Sequence, residues 1–393
     1  MLLSVRKLTV FFFFALQANI ASALGLSFYS VMYFLLILVF VSFLLSKSKS
    51  KYFIFFVVSL IVMLLFRLFN NILAESIQSS FIMCFPALFI LTFPKRIDDA
   101  NDFYFYRFLA KCVIVYICLE FSFSYIEFFG KFSILGYTND TYGVQTGPLT
   151  RATALSGASL SNALIISGLL FVVLNSNLKD KYKYSIWSLG FLSLMCFQGR
   201  IAMIISFAYL FVYLIYSMKK NGRKILTLLF FTALVMSIVV VALSMGLGQR
   251  LFEIGVFDGS SSGVRTKMFS YIGENLKLKG LLWGMSMLDL RNLMTEMQVL
   301  VIECFAIIHL LLFGLVFLLL FYIQYALLIK RLLVNYRKFF KWTAVPLFFV
   351  LAFINNSFAS DFASLSLFLV FLKLFSPPIF CKVIPQKYLL RKV

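Results

Sequence analysis

The sequence predicts an all-α membrane protein that crosses the bilayer many times. Of its 393 residues, 62% are hydrophobic and only 13% are charged, whereas a soluble domain carries roughly a quarter charged residues. The apolar residues form blocks long enough for helices that cross the bilayer core, which takes about 20 residues each. Because the blocks are continuously apolar, they indicate helices rather than the alternating strands of a membrane barrel. We therefore expect residues 1–393 to form a single transmembrane domain.

Twelve blocks are interpreted as spans. In chain order they cover 8–24, 26–45, 52–69, 77–94, 108–129, 153–175, 184–198, 201–217, 225–246, 303–329, 342–359 and 362–376. The seventh and twelfth are short for a crossing, whereas apolar character around the tenth begins near Leu293 and exceeds one crossing. Ala21-Ser22-Ala23 imitates a signal-peptide cleavage site after the first block. Since the second block follows at once, an uncleaved helical hairpin is the simpler interpretation.

The basic residues predict how the spans are oriented. The net charge is +21, and cytoplasmic loops retain Lys and Arg. With twelve spans the Lys-rich loops all fall on one side, which places both termini in the cytoplasm. The two longest loops, 130–151 and 247–302, then lie outside, and the second contains a predicted amphipathic helix near 263–278. Both are too short to fold as independent domains, so we expect them to cap a cavity between the helices.

The basic residues outside differ in type from those inside. Six Arg and four Lys fall outside, against seven Arg and nineteen Lys inside. Topology requires only positive charge, whereas the planar fork of Arg binds phosphate through two parallel hydrogen bonds. The bias therefore predicts a phosphorylated ligand on the outer face, and the alternative is a set of surface salt bridges. The outer arginines are Arg67, Arg151, Arg200, Arg250, Arg265 and Arg291.

Arg200 has the most informative position among them. It follows Gln198-Gly199 between two spans with almost no loop, where an Arg is costly unless it has a partner or faces a wet cavity. Arg67, near the outer end of the third span, is under the same constraint, and snorkelling to the interface is an equal alternative. Arg265 lies in the first turn of the predicted helix 263–278, where free amide groups favour an anion. Arg151 precedes a run of small residues, 154–162, that is typical of closely packed helices.

Other chemistry-bearing motifs are few. The sequence has no Walker loop, no complete G-x-G-x-x-G and no zinc motif, so we expect no cofactor, no metal and no nucleic-acid partner. The only histidine, His309, lies inside the tenth span, where it is more typical of hydrogen bonding between helices than of catalysis. The six cysteines have no metal spacing and are expected to be free thiols.

These features together resemble the bacterial O-antigen polymerases of the Wzy type, which are related to the O-antigen ligases. The resemblance covers most of the chain as architecture, many spans with two notable outer loops. The local motifs are Arg151-Ala152-Thr153-Ala154-Leu155-Ser156-Gly157, Gly199-Arg200-Ile201-Ala202, Arg265 through Gly280-Leu281-Leu282-Trp283-Gly284, and Glu303 through Gly314. The sequence departs from the ligase branch, which has a histidine before the tenth span where this chain has Thr295-Glu296, and it lacks the family's proline after Arg151.

The resemblance implies an enzyme of the bacterial inner membrane. Its substrates would be oligosaccharide repeat units on undecaprenyl pyrophosphate. Its partners would be membrane lipid and a chain-length regulator protein, and its catalytic site would need no metal. Arg200 and Arg265, with Arg151 in support, would stabilise the leaving pyrophosphate, and Glu296, ahead of Asp258 and His309, would accept the proton of the attacking sugar hydroxyl. The alternatives are a flippase for the same lipid-linked oligosaccharide, an O-antigen ligase, and a channel or structural subunit.

Overall fold

The computed structural model describes residues 1–46, 51–69, 84–94, 100–135, 151–218, 240, 270, 278–296, 305–355 and 362–376. These residues are helical almost throughout and contain no β-strand. The helices are α1 (Leu2–Ala15), α2 (Ala18–Ala23), α3 (Phe28–Leu44), α4 (Lys51–Phe69), α5 (described over 84–91), α6 (Ala100–Gly130), α7 (Ser159–Leu174), α8 (Asp180–Phe197), α9 (Arg200–Met218), α10 (Leu278–Trp283), α11 (Met287–Glu296), α12 (Phe305–Leu332), α13 (Lys338–Asn355) and α14 (Phe362–Leu374).

The fold is that of an all-α membrane protein, as the composition predicts. Within the described ranges, three helical stretches are long and apolar enough to cross a bilayer, namely Ala100–Gly130, Arg200–Ser217 and Ile307–Asn335. Shorter apolar helices accompany them at Ser30–Leu44, Tyr52–Val62, Ser159–Leu174 and Ala363–Leu374. Large apolar side chains such as Ile114, Ile126 and Ile204 are exposed on the outward faces of these helices, where lipid tails would cover them. The count of twelve spans and their orientation stay predictions, and the ninth predicted span, 225–246, lies outside the described residues apart from Val240.

Helix α7 is the centre of the bundle. Every residue from Ser161 to Leu174 is buried, because α8, α9, α13 and α14 all pack around it. Gly168 brings α7 close to the rings of Phe348 on α13 and Phe368 on α14. The predicted run of small residues, 154–162, differs from this region, because residues 154–158 are not helical and only 159–162 belong to α7.

Three predicted spans are corrected in their detail. The first, 8–24, is helical from Leu2 but breaks at Leu16 and Gln17, so it consists of α1 and α2. The sixth, 153–175, becomes helical only at Ser159, and residues 152–156 form a buried non-helical segment instead. The seventh, 184–198, is longer than predicted because α8 starts at Asp180. Each correction concerns polar residues at a helix end, which hydropathy alone does not resolve.

The tenth predicted span, 303–329, also contains a break. Gly314 interrupts α12 with φ of 75° and ψ of 167°, a conformation open mainly to glycine. The short helix α10 docks at this break, and the amide of Met285 donates a hydrogen bond of 2.7 Å to the carbonyl of Leu311. Gly284, with φ of 82°, ends α10 against the backbone of Leu312. The glycine predicted to close this part of the outer loop thus fits directly onto the broken helix.

Replacing Gly314 with alanine is expected to destabilise the protein strongly. A Cβ at this position would lie against the backbone of Leu282 and Gly284, so the variant suffers a backbone clash in addition to about 1 kcal/mol or more of left-handed strain. Gly25→Ala is the matched control, because Gly25 also has positive φ, 70°, but a Cβ there would meet nothing within 4 Å. Thermal unfolding in detergent should show a much larger loss for Gly314→Ala, and equal losses would contradict the packing described for α10.

Candidate functional site

The two ends of the bundle differ in the residues that they bring together. One, which we name the Asp102 end, contains the start of α6 and the Arg6–Asp102 ion pair, with 3.6 Å between the charged groups. At the other, the Arg200 end, α6 and α8 terminate and α9 begins. Of the predicted site residues, Arg151 and Arg200 lie at the Arg200 end. There the non-helical residues 151–158, which we name the polar turn, fold back against the helices.

The carboxylate of Glu127 anchors the polar turn. One oxygen accepts hydrogen bonds from the amides of Thr153 (2.7 Å) and Ala154 (2.8 Å) and from the Thr153 hydroxyl (3.1 Å). The other accepts from the amide of Ile134 at 3.1 Å. Glu127 is completely buried, and a buried carboxylate requires such donors. It therefore joins the beginning and the end of the predicted outer loop 130–151.

A second buried carboxyl group lies two helical turns earlier on the same face of α6. Glu120 Oε2 accepts a hydrogen bond from the amide of Leu155 at 3.3 Å, and the residue is 0% exposed. Its other oxygen has no hydrogen-bond partner among the described residues. The side chains of Tyr116 and Ser124 are buried on the same side of α6, so polar groups lie among the apolar residues of its inward face.

Two buried asparagines complete the packing of the polar turn. The side-chain amide of Asn19 donates to the carbonyl of Ala154, and its backbone amide donates to the carbonyl of Leu155 at 3.1 Å. Asn162 donates to the carbonyl of Thr153 at 2.5 Å and accepts from the Ser156 hydroxyl. Because the amides of residues 153–155 donate inward to carboxylates, they do not form an outward anion-binding nest. An anion at this end would have to bind side chains instead.

Arg151 and Arg200 are on chain segments that meet here. The amide of Ala152, next to Arg151, donates to the carbonyl of Cys196 at 3.1 Å, four residues before Arg200. Arg151 is half-buried, and Arg200 is exposed as the first residue of α9. The tight turn between α8 and α9 depends on Gln198, which adopts a left-handed conformation with φ of 53°, and on Gly199, which packs against Ala163. The prediction that Arg200 lies at a helix start is correct.

The remaining predicted site residues are dispersed. Arg291 lies on α11, and Glu296 is its last residue; both are exposed. The carboxylate of Asp289 accepts a 2.7 Å hydrogen bond from the hydroxyl of Ser286, and that hydroxyl accepts from the amide of Asp289 at the start of α11. His309 is buried in α12, and its ring centroid lies 6.0 Å from that of Phe313 and 6.2 Å from that of Phe321.

Several predictions fall beyond the described part of the chain. Arg250, Asp258 and Arg265 lie outside it, as does the predicted helix 263–278 except for Ser270 and Leu278. The backbone of Arg67 belongs to α4, but its side chain lies outside the description. The described cysteines, Cys84, Cys112, Cys118 and Cys196, are free thiols as expected. Among described residues, no group of three or more His, Cys, Asp and Glu side chains is arranged to hold a metal ion.

The sequence analysis missed Glu120, Glu127, Asn19 and Asn162, although a signal was present. Glu120 and Glu127 are seven residues apart inside the fifth predicted span, and this spacing places both on one helical face. A carboxyl group within a membrane span is costly, so it normally faces the protein interior and marks a functional or organising position. The spacing was therefore a signal that could have indicated inward-facing carboxyl groups on α6.

Comparisons of the chain with protein-family models, with curated proteins and with solved structures found no match. The fold and the site define an all-α membrane protein whose Arg200 end holds a buried polar cluster and the chain segments of Arg151 and Arg200.

Proposed function

We propose that the protein is an O-antigen polymerase that joins lipid-linked oligosaccharide repeat units on the periplasmic face of the bacterial inner membrane. The hydroxyl oxygen of an acceptor sugar would attack the anomeric carbon of a donor glycan. A carbon–oxygen bond forms there as the bond to undecaprenyl pyrophosphate breaks, and the pyrophosphate leaves with the bonding electrons. The proton of the hydroxyl passes to a carboxylate base.

The observation that carries the proposal is the meeting of the Arg151 and Arg200 segments at one end of the helical bundle. A departing pyrophosphate develops negative charge, and fixed cations lower the barrier by stabilising that charge. Both arginines are attached to rigid backbone, Arg151 through the bond between Ala152 and Cys196 and Arg200 through the start of α9. A site at the end of membrane helices also suits a lipid-linked donor, whose pyrophosphate lies at the membrane surface.

The Asp102 end supports the proposed orientation. Arg6, Arg331 and Lys373 come from distant parts of the chain but all reach this end: Arg6 pairs with Asp102, Arg331 lies 5.1 Å from the ring centroid of Tyr52, and Lys373 lies 5.9 Å from that of Tyr106. Arg6 belongs to the predicted cytoplasmic N-terminus, Arg331 to a predicted cytoplasmic loop, and Lys373 to the predicted cytoplasmic end of the twelfth span. Because positive charge is retained in the cytoplasm, the Arg200 end would face the periplasm.

Glu296 remains the proposed base. Its side chain is exposed at the end of α11, a helix that contacts α12. A substrate could therefore reach its carboxylate. His309 suits the role less well, since it is buried within α12. Glu120 and Glu127 are fully buried beneath the polar turn, and Glu127 already accepts five hydrogen bonds.

A flippase for lipid-linked oligosaccharide is the second candidate, and specific features favour it. Transporters place broken helices and buried polar groups around a central site. Here α1 gives way to α2 at Leu16, α12 breaks at Gly314, and the polar turn is a buried non-helical segment. The arginines favour the polymerase, because stabilising a leaving group requires cations at one membrane face rather than at the bilayer middle.

Deleting the gene and analysing the surface glycan separates the candidates. A polymerase mutant should retain a single repeat unit attached to lipid A, because export and ligation of one unit do not require polymerisation. Surface lipopolysaccharide can be resolved by gel electrophoresis and mass spectrometry, with the plasmid-restored strain as the control. The complete absence of repeat units from lipid A would instead indicate a flippase or ligase.

A further inference from the structure

Three buried oxygen atoms at the Arg200 end lack a hydrogen-bond donor. They are Gln17 Oε1, Asn19 Oδ1 and Glu120 Oε1, and none has a partner among the described residues. Their side chains are 3%, 0% and 0% exposed, so bulk water does not solvate them. An unsatisfied buried acceptor is costly, and three in one region require a common explanation.

Amide flips do not remove the problem. The Gln17 side-chain amino group donates to the carbonyl of Phe13 at 2.7 Å, and that of Asn19 donates to the carbonyl of Ala154. Rotating either amide would place two carbonyl oxygens against each other and leave the amino group without its present acceptor. The oxygen atoms are therefore the correct assignment for the unsatisfied positions.

The three residues lie at the same depth. Helices α1 and α6 run in the same direction, from the Arg6–Asp102 ion pair to the contact between the Phe14 and Tyr116 rings, whose centroids are 5.6 Å apart. Gln17 follows Phe14 by three residues, just past the end of α1. Glu120 follows Tyr116 by about one helical turn on α6. Leu155 links Asn19 to Glu120, since the Leu155 amide donates to Glu120 Oε2 and the Leu155 carbonyl accepts from the backbone amide of Asn19.

The local backbone leaves room for this arrangement. Gly157 has φ of 83°, and a Cβ there would lie against Asn19 Oδ1. The break between α1 and α2 at Leu16 and Gln17 also exposes the last carbonyl groups of a helix, which the helix itself does not satisfy. Oxygen-rich helix breaks of this kind coordinate cations in membrane proteins.

The donor atoms and the charge of these side chains indicate which kind of ion they would bind. Amide and carboxylate oxygens are hard donors that suit sodium, magnesium or calcium. Of the two carboxyl groups described beside the polar turn, Glu120 has an available oxygen, whereas both oxygens of Glu127 already accept hydrogen bonds. One negative charge balances a single positive charge, whereas a divalent ion would leave uncompensated charge in a low-dielectric interior.

We propose that Gln17 Oε1, Asn19 Oδ1 and Glu120 Oε1 form a sodium-binding site that joins the α1–α2 break to the polar turn. The ion stabilises the turn that carries Arg151. This role is structural and independent of the glycan reaction, so it holds for a polymerase and for a flippase alike. The site was not predicted from sequence, where no metal was expected.

Thermal unfolding of the full-length protein in detergent tests the site, with choline chloride replacing sodium chloride at constant ionic strength. Sodium should raise Tm to a plateau. Glu120→Gln should remove this response without lowering Tm in sodium-free buffer, because the new amino group donates to the acceptors that the ion otherwise satisfies. Asp180→Asn is the control, since Asp180 lies at the opposite end of α8, and it should respond as the wild type does.

Gln17→Met provides an independent variant if Glu120→Gln does not fold. It removes one oxygen ligand and should raise the half-saturating sodium concentration at least about 10-fold, the scale on which loss of a supporting group weakens metal sites. The proposal is overturned if sodium does not raise the wild-type Tm above that in choline. It is also overturned if Glu120→Gln, or Gln17→Met when Glu120→Gln does not fold, retains the full sodium response.

Discussion

Arg200→Lys is expected to abolish chain extension while the protein remains in the membrane. Lysine keeps the positive charge but loses the planar fork that donates two parallel hydrogen bonds to a phosphate. Arg200 is the first residue of α9, and the turn at Gln198 and Gly199 fixes the position of its Cα. The backbone therefore cannot shift to let a lysine ammonium group replace both hydrogen bonds to the phosphate. Loss of one positioned donor to a developing anion typically lowers the rate about 10²- to 10³-fold.

Gel analysis of surface lipopolysaccharide measures this effect as the loss of the polymer ladder. Arg107→Lys is the matched control, because Arg107 is an exposed arginine near the Asp102 end of α6, and it should leave the ladder unchanged. Immunoblotting of membrane fractions checks that both variants are present in equal amounts. A normal ladder in Arg200→Lys would remove the pyrophosphate role from this residue.

Glu127→Gln is expected to be the most destabilising single substitution at the Arg200 end. The carboxylate accepts hydrogen bonds from the amides of Ile134, Thr153 and Ala154 and from the Thr153 hydroxyl. Glutamine replaces one acceptor oxygen with an amino group, which would face backbone N–H donors and leave them unsatisfied. Each unsatisfied buried donor costs about 1–3 kcal/mol, so we expect a loss of about 3 kcal/mol or more.

Glu120→Gln is the informative comparison for this second prediction. It lies on the same helical face and is equally buried, but only one of its oxygens accepts a hydrogen bond. In sodium-free buffer its Tm should therefore be far closer to that of the wild type. Limited proteolysis should detect the difference too, with Glu127→Gln cleaved faster within loop 130–151. Equal effects of the two substitutions would contradict the role assigned to Glu127 in holding this loop.

The architecture could be predicted from hydropathy because burial in lipid is a property of whole segments. The predicted start of the eighth span at residue 201 is one residue from the start of α9 at Arg200, and the predicted loop beginning at residue 130 meets the end of α6 at Gly130. Both boundaries coincide with a polar or glycine residue after an apolar run. Such a signal depends only on neighbouring residues, so these helix boundaries could be predicted from the sequence alone.

The polar turn could not be predicted in the same way. Ala154, Ser156 and Gly157 suit a closely packed helix as well as a turn, and the choice depends on partners far away in sequence. Glu127 and Glu120 accept from amides 26 to 35 residues later, and Asn19 donates to a carbonyl 135 residues later. These contacts satisfy the backbone without helical hydrogen bonding. The break at Gly314 was missed for a related reason, since glycine is common in unbroken membrane helices.

Reconstitution of the reaction tests the central claim most directly. Lipid-linked repeat units extracted from a strain that lacks the protein would be added to proteoliposomes containing the purified wild-type protein or Arg200→Lys. The account predicts that the wild type forms a ladder of joined repeat units and releases one undecaprenyl pyrophosphate for each bond formed, whereas Arg200→Lys does not. Single repeat units that remain unjoined while crossing the bilayer in a protein-dependent manner would contradict the account and identify a flippase.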